Sequence, residues 1–160
     1  MDFRYLNNMY VFRQVQHIPV SLEQAWTFFS NPANLARLTP PQMNFKVLGE
    51  DLPDEVYEDL IVRFRVAALP GFRVNWTSVI SKVVPMVYFA DVQVEGPFKY
   101  WHHQHSFRET DTGVEITDEL HYLPPFGIIG KLFHPLIVKR KLSETFEYRY
   151  QKINEVFENA

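Results

Sequence analysis

The sequence predicts a single α+β domain over residues 1–160, in which a curved antiparallel β-sheet of six to seven strands wraps around a long C-terminal helix. Two short helices are expected after the first strand. Residues 45–122 alternate apolar and polar side chains with the period of two that is typical of strands. Residues 128–159 repeat apolar side chains every three or four positions, as an amphipathic helix does. Consecutive strands with helices segregated in the sequence indicate an α+β fold.

The N-terminal part predicts one strand and two helices. Apolar and polar side chains alternate over residues 9–17, which predicts a strand. Ser21 and Gln24 have the spacing of a capping box, so a helix is expected to begin there and to end at Asn31–Pro32. A second short helix is predicted over residues 33–38.

The middle of the chain predicts the rest of the sheet. Turn signals at Pro70–Gly71, Pro85 and Gly96–Pro97 separate the apolar–polar runs, and the last two runs form a hairpin. The strands are expected at residues 45–49, 57–67, 72–84, 86–94, 100–108 and 114–122.

The C-terminal helix is predicted over residues 128–159. Thirty helical residues span roughly 45 Å, so this helix must cross a whole sheet. Pro135 is expected to kink it or to mark its true start.

Composition excludes several classes of function. The net charge of −3 does not favour a polyanion, so no nucleic acid is expected as a partner. The chain has no cysteine, which excludes disulfides, cysteine–zinc sites and a cysteine nucleophile. No stretch approaches 18 apolar residues, and the N-terminus lacks the apolar run of a signal peptide. We therefore expect a cytoplasmic protein without a cofactor, and no surface patch predicts its oligomeric state.

Aromatic residues make up 16% of the chain, which indicates either a bulky core or a cavity lined by rings. Core packing is the simpler interpretation for any one of them, but some are expected to face a cavity if one exists. The residues expected to bind a ligand are Trp26, Phe64, Trp76, Phe89, Asp91, Trp101, Phe107, Phe133 and Phe146.

Titratable side chains converge on one face of the predicted hairpin. His103 and His105 lie two residues apart in one strand and so share a face. Asp118 interrupts the apolar face of the partner strand, and pairing places it opposite one of these histidines. Asp91, on the neighbouring strand, is expected to reach the same patch.

Three interpretations of this cluster stay open from the sequence. His103, His105 and Asp118 form a buried polar network, a catalytic acid–base group in which Asp118 orients a histidine, or three ligands of a metal ion. No sequence motif requires a metal, so none is expected. Phosphate-binding loops and the common hydrolase motifs are also absent from the sequence.

Several local motifs occur in the order found in one known superfamily. They are Asn31-Pro32 with Leu38-Thr39-Pro40, Phe89-Ala90-Asp91-Val92-Gln93 with Gly96-Pro97-Phe98, Trp101-His102-His103-Gln104-His105-Ser106-Phe107, Asp118 with Tyr122-Leu123-Pro124, and Arg140, Leu142, Phe146, Tyr148 and Arg149. With these motifs the chain resembles the helix-grip superfamily (SRPBCC), which groups START-like lipid-binding domains, Bet v 1-like pollen allergens and polyketide cyclases/dehydrases. The resemblance is greatest to bacterial single-domain members, and W-x-H-x-H-x-F is its most specific motif. It implies a helix-grip fold and a cavity for a hydrophobic ligand.

Three functions follow as hypotheses. The first is binding of a lipid, isoprenoid, polyketide or aromatic metabolite between the sheet and the last helix. The second is a cyclase or dehydratase that uses the histidines and Asp118 in the same cavity. The third is an interaction protein with a filled core, which predicts no cavity. The apolar segment 126–133 fits a gate, a transient contact with a membrane surface, or packing against the Pro70–Gly71 loop.

Overall fold

The computed structural model describes residues 1–49, 52–69 and 72–158. The strands are β1 (Asp2–Leu6), β2 (Met9–Ile18), β3 (Lys46–Val47), β4 (Ile61–Leu69), β5 (Phe72–Val84), β6 (Tyr88–Glu95), β7 (Tyr100–Thr110) and β8 (Gly113–Leu123). The α-helices are α1 (Leu22–Phe29), α2 (Gly127–Phe133) and α3 (Lys139–Glu158). Two short 3-10 helices, Pro32–Ala36 and Pro41–Met43, follow α1.

The described strands form one antiparallel sheet in the order β1-β2-β8-β7-β6-β5-β4-β3. Strands that are consecutive in the chain are neighbours, except that β2 pairs with β8. Helix α3 lies against this sheet: the Gln16 side chain of β2 donates to the Tyr150 carbonyl at 2.9 Å, and the Phe12 ring contacts the Phe146 ring. The predicted α+β helix-grip architecture is confirmed.

The sequence prediction missed β1, so the described sheet has eight strands rather than six to seven. Asn7 and Asn8 have φ of 50° and 63°. Two consecutive positive φ angles are what a tight turn between antiparallel strands requires, and asparagine adopts them more readily than most residues. The N-terminus therefore folds back onto β2, with Leu6 opposite Met9.

The capping box before α1 is confirmed. The Ser21 hydroxyl accepts from the Gln24 backbone N–H at 3.2 Å, and the Gln24 side chain accepts from the Ser21 N–H at 3.1 Å. The predicted helix over residues 33–38 is instead a 3-10 helix that begins at Pro32. Its start is capped by Asn31, whose side chain accepts from the Ala33 N–H.

Several predicted strand boundaries were wrong, and β6, for example, begins at Tyr88 rather than at residue 86. Residues 57–60 belong to a turn in which Asp59 has a φ of 68°, so β4 begins at Ile61. Strand β3 is only two residues long. Within β4 the alternation holds, because Val62, Phe64 and Val66 are all buried on one face.

The C-terminal helix is interrupted where the sequence contains Pro135. Residues 134–138 form a π-helical turn between α2 and α3. Proline has no N–H and its ring clashes with the preceding turn, so the hydrogen-bond pattern changes there. This interruption lies at Pro135, where the sequence predicts a kink or the true start of the helix, and the single helix over residues 128–159 is not confirmed. On α3, the side chains buried against the sheet are Leu142, Phe146, Arg149, Ile153 and Phe157.

Two aromatic-rich clusters form the described core, one around Trp26, Phe89 and Phe107 and the other around Phe12, Tyr122 and Phe146. None of the helices within the described residues is long and apolar enough to cross a membrane.

Candidate functional site

A cavity of about 350 Å³ lies between strands β4–β7 and helix α3. Its wall includes Val62, Phe64, Val66, Trp76, Ser78, Ile80, Phe89, Asp91, Trp101, His103, His105, Leu142, Thr145, Phe146 and Arg149. The 3-10 helices and the segment before β3 also contribute, among them Leu35, Met43 and Phe45. The wall is mostly apolar, and its charged and imidazole groups come from β6, β7 and α3.

The structure places most of the predicted ligand-binding residues in this wall. Those that line the cavity are Phe64, Trp76, Phe89, Asp91, Trp101 and Phe146. Phe64 and Trp76 stack with centroids 5.7 Å apart, and Trp76 meets Trp101 edge-on at 4.9 Å. These rings make a continuous aromatic surface along β4, β5 and β7.

Three of the predicted ligand-binding residues are not part of the wall. Trp26 is buried in the core because α1 directs it between Phe89 and Phe107, and its indole N–H donates to Glu55 at 2.6 Å. Phe107 belongs to the same cluster. Phe133 is 47% exposed at the end of α2. The cavity wall therefore does not support the prediction that these three side chains bind the ligand.

The polar end of the cavity is built on the hairpin β7–β8. Thr110 pairs with Gly113 across a two-residue loop, which sets the register and places His105 opposite Asp118. The β-carbon of any residue larger than glycine at position 113 would collide with the Ile18 carbonyl oxygen, so this turn needs glycine.

Asp118 contacts both inward-facing histidines. Its Oδ1 lies 2.9 Å from Nε2 of His103 and 2.8 Å from Nδ1 of His105. An ionised carboxylate can only accept hydrogen bonds, so both of these ring nitrogens carry the proton. Asp118 lies behind the histidines and does not line the cavity.

Asp91 approaches the same histidines from β6, on the cavity side. Its Oδ2 lies 4.0 Å from Nδ1 of His103 and 3.8 Å from Nε2 of His105. Its Oδ1 accepts from the Ser78 hydroxyl at 3.0 Å, and that hydroxyl in turn accepts from the Trp76 indole N–H at 3.1 Å. Ligand atoms of Asp91, His103 and His105 all lie within 4.8 Å of one another.

The pKa values of the two histidines shift in opposite directions. Burial, and next the charge of His105, lower the pKa of His103 to about 4. Burial also acts to lower the pKa of His105, but its contacts with Asp118 and Asp91 outweigh this and raise it. Burial alone raises a carboxyl pKa, yet the two histidines hold the pKa of Asp118 well below its usual value and also lower that of Asp91. Two carboxylates therefore flank one histidine whose pKa is raised and one whose pKa is lowered.

Arg149 adds a cation that the sequence analysis did not assign to the site. One of its terminal nitrogens lies 3.8 Å from Oδ1 of Asp118, and the guanidinium lies 5.0 Å from the centre of the Phe146 ring. Among the residues that the structure describes, none forms a hydrogen bond with its buried Nε. The sequence did contain a sign of this role. Arg149 lies between Phe146 and Ile153, at a position of α3 that the apolar repeat predicts to be buried. Ser78 was missed similarly, as a polar residue on the inward face of β5.

The other histidines of this region lie outside the cavity wall. His102 and His121 pair on the opposite face of the hairpin. His134 is buried at the start of the π-helical turn, where its Nε2 lies 2.7 Å from the Tyr122 hydroxyl and its ring stacks on Tyr10. It does not line the cavity mouth.

Comparisons with known proteins agree with this architecture. The sequence model of the family described as polyketide cyclase/dehydrase and lipid transport matches residues 18–150. No curated protein sequence matches the chain.

Solved structures of similar fold cover nearly the whole chain. A START superfamily protein from Mycobacterium smegmatis has a TM-score of 0.69 at 13% identity, covering 93% of this chain and 97% of its own. The Zhui aromatase/cyclase from Streptomyces sp. R1128 has a TM-score of 0.65 at 13% identity, with 92% and 96% covered. Ara h 8.0201 has a TM-score of 0.61 at 10% identity, with 95% and 99% covered. At these identities the likeness concerns the fold alone.

Proposed function

Since the chain belongs to the family of polyketide cyclases/dehydrases and lipid transport proteins, we propose that it binds a hydrophobic small molecule between the sheet and α3. The ligand would be a lipid, isoprenoid, polyketide or aromatic metabolite. The observation that carries this proposal is the cavity of about 350 Å³, which has apolar walls and one polar end. A cavity of this size also argues against an interaction protein with a filled core.

The shape of the cavity narrows the class of ligand. Small-molecule pockets typically measure about 300–1,000 Å³, so this one is at the small end of the range. It suits a compact molecule with one short chain or a few fused rings. The rings of Phe64, Trp76 and Trp101 offer stacking surfaces, and each buried methylene of the ligand would contribute about 0.8 kcal/mol.

The polar end would orient the ligand. Asp91, His103 and His105 face the cavity, whereas Asp118 and Ser78 hold these three side chains in place. A ligand with a single carbonyl or hydroxyl group would place that oxygen at this end and its apolar part along β4 and β5.

The test is to identify what the protein carries. Native mass spectrometry of protein purified from its own host, followed by extraction, would give the mass and chemistry of a bound molecule. Binding of that molecule, or of 1-anilinonaphthalene-8-sulfonate as a hydrophobic probe, can then be titrated by fluorescence.

A cavity-filling variant gives a sharp prediction. Val66 is buried in the cavity wall, and Val66→Phe would occupy ligand space. We expect this variant to weaken probe binding by about tenfold or more, while the melting temperature changes little. The matched control is Val94→Phe, at a position of β6 that is 61% exposed. Equal binding by both variants would show that the probe does not enter this cavity.

A second candidate function is catalysis in the same cavity, of the cyclase or dehydratase kind. It is favoured by one observation: His103 donates to Asp118 through Nε2 and presents Nδ1 toward Asp91 on the cavity side. If the extracted molecule is converted by the protein, loss of turnover in His103→Ala with retained binding would support this reading. Retained turnover would exclude it.

We also propose transient contact with a membrane surface near the cavity. Phe126 is 81% exposed, and Leu132 and Leu136 are each 71% exposed. Ile137 and Val138 of the following turn line the cavity, so this apolar surface adjoins its wall. Exposed cations follow at residues 139–141 and favour anionic lipid.

Vesicle sedimentation measures this contact. We expect the chain to bind vesicles that contain anionic phosphatidylserine, and Leu132→Ser with Leu136→Ser to reduce that binding several-fold. The control is Val94→Ser, which replaces an apolar side chain of β6 that is 61% exposed. If the double variant binds as well as the control, this surface is not the contact.

A further inference from the structure

Three side chains at the polar end of the cavity point nitrogen and oxygen atoms toward one another. Oδ2 of Asp91 lies 4.0 Å from Nδ1 of His103 and 3.8 Å from Nε2 of His105. Ligands held tetrahedrally at 2.0–2.1 Å from a metal ion are roughly 3.4 Å apart. All three ligand atoms lie within 4.8 Å of one another, so closing them onto one ion requires a pair of them to approach by at most about 1.4 Å.

The other polar atom of each of these three side chains already forms a hydrogen bond within the protein. Asp118 binds the remaining ring nitrogen of both histidines, at 2.9 Å and 2.8 Å. The Ser78 hydroxyl holds the other oxygen of Asp91. Carboxylates that bind the far nitrogen of a metal-ligating histidine fix its tautomer and orientation, and here one carboxylate does so for two rings.

We propose that Asp91, His103 and His105 bind a divalent first-row transition metal ion at the polar end of the cavity, with Asp118 orienting both imidazoles. This goes beyond the proposed binding of a hydrophobic molecule and does not depend on that molecule's identity. It also changes the expectation from the sequence, in which Asp118 was the third candidate ligand and no metal was expected. Strand β6 brings Asp91 to that position instead.

The donor set indicates the class of ion. Two imidazole nitrogens and one carboxylate suit Zn²⁺, Fe²⁺, Co²⁺ or Ni²⁺, whereas Mg²⁺ and Ca²⁺ prefer oxygen ligands alone. Three protein ligands leave a coordination position open. Since all three ligands line the cavity, that position faces the space where a ligand's oxygen would lie.

Charge around the site favours a cation. Asp91 and Asp118 are two carboxylates on opposite sides of the imidazoles, and both are largely buried, with side-chain exposures of 16% and 7%. Arg149 lies 3.8 Å from Asp118 and offsets part of this charge. The two carboxylates together still outweigh this single cation and favour a divalent ion at the site.

The experiment uses the full chain without a histidine tag, freed of metal by chelator and dialysis. Titration with Co²⁺ is followed by visible absorption, and titration with Zn²⁺ by calorimetry. We expect one ion per chain and a visible spectrum typical of cobalt bound by nitrogen and oxygen. Asp91→Asn and His105→Ala are expected to abolish this signal, and Asp118→Asn to weaken binding about 10–100-fold.

The matched controls are His102→Ala and His121→Ala. These histidines belong to the same hairpin but face away from the cavity, and we expect both variants to bind as the unchanged protein does. Circular dichroism and melting temperature establish that each variant is folded. Absence of binding by the folded, unchanged chain would overturn the proposal, as would loss of binding in the controls or full binding by folded Asp91→Asn. Because the readout is metal alone, a failure here leaves the test of ligand binding independent.

Discussion

The hairpin β7–β8 carries histidines on both faces, and the two faces hold them in opposite environments. His103 and His105 face inward and contact two largely buried carboxylates. His102 and His121 face outward, where His121 contacts the half-exposed Glu119 at 2.8 Å. Histidines that are neighbours in the chain therefore have different surroundings. Those on the inner face lie against β6 and α3, and those on the outer face lie toward solvent.

The comparison shows that burial, and not contact length, distinguishes the carboxylate–histidine pairs on the two faces. The two Asp118 contacts and the Glu119–His121 contact have nearly equal lengths. Coulomb interactions are stronger where the surroundings polarise weakly, whereas an exposed pair contributes about 0–1 kcal/mol. Contact length alone therefore does not rank these pairs.

The largest effect on the free energy of unfolding is expected when the carboxylate of the inner face is removed. Asp118→Ala removes the shared partner of two buried histidines and the neighbour of Arg149. We expect the free energy of unfolding to fall by about 3–5 kcal/mol, as measured by urea denaturation. Glu119→Ala, the matched change on the outer face, should alter it by less than about 0.5 kcal/mol. Equal losses in the two variants would show that the inner network does not stabilise the fold.

A smaller effect is expected for the histidines themselves. His103→Ala leaves Asp118 with one fewer donor, although His105 still contacts it. An unmade hydrogen bond at a buried group costs about 1–3 kcal/mol, so we expect a loss of that size in urea denaturation. His102→Ala, one residue away, should change the free energy of unfolding by less than about 0.5 kcal/mol. A loss in His102→Ala as large as in His103→Ala would contradict the distinction between the faces.

Much of this contrast could be predicted before the structure. Successive side chains of a strand point to opposite sides, so alternation alone assigned His103 and His105 to one face and His102 to the other. The short loop predicted between the strands over residues 100–108 and 114–122 then limited the register to two choices for Asp118. The fold class followed from the same periodicity together with the helical repeat of α3.

Other parts of the site lay beyond such reasoning. Arg149 reaches Asp118 because α3 crosses the sheet at that level, and Ser78 reaches Asp91 across a strand pair interrupted by bulges. The choice between Trp26 in the core and Trp76 in the cavity wall depends on where α1 and β5 lie relative to α3. Local patterns predict a helix around Trp26 and a strand around Trp76, but they do not tell which of the two side chains reaches the cavity.

Three features could be predicted from the sequence alone, because each depends on backbone geometry within a few residues. They are the side chains that share a face, the start of α1 and the interruption of the last helix at Pro135. The packing of β6 against β7, by contrast, places Asp91, rather than Asp118, on the cavity side of the histidines. Tertiary packing also leaves about 350 Å³ between sheet and helix unfilled. Convergence of β6, β7, β8 and α3 depends on contacts between residues far apart in the chain, and local periodicity carries no information about those contacts.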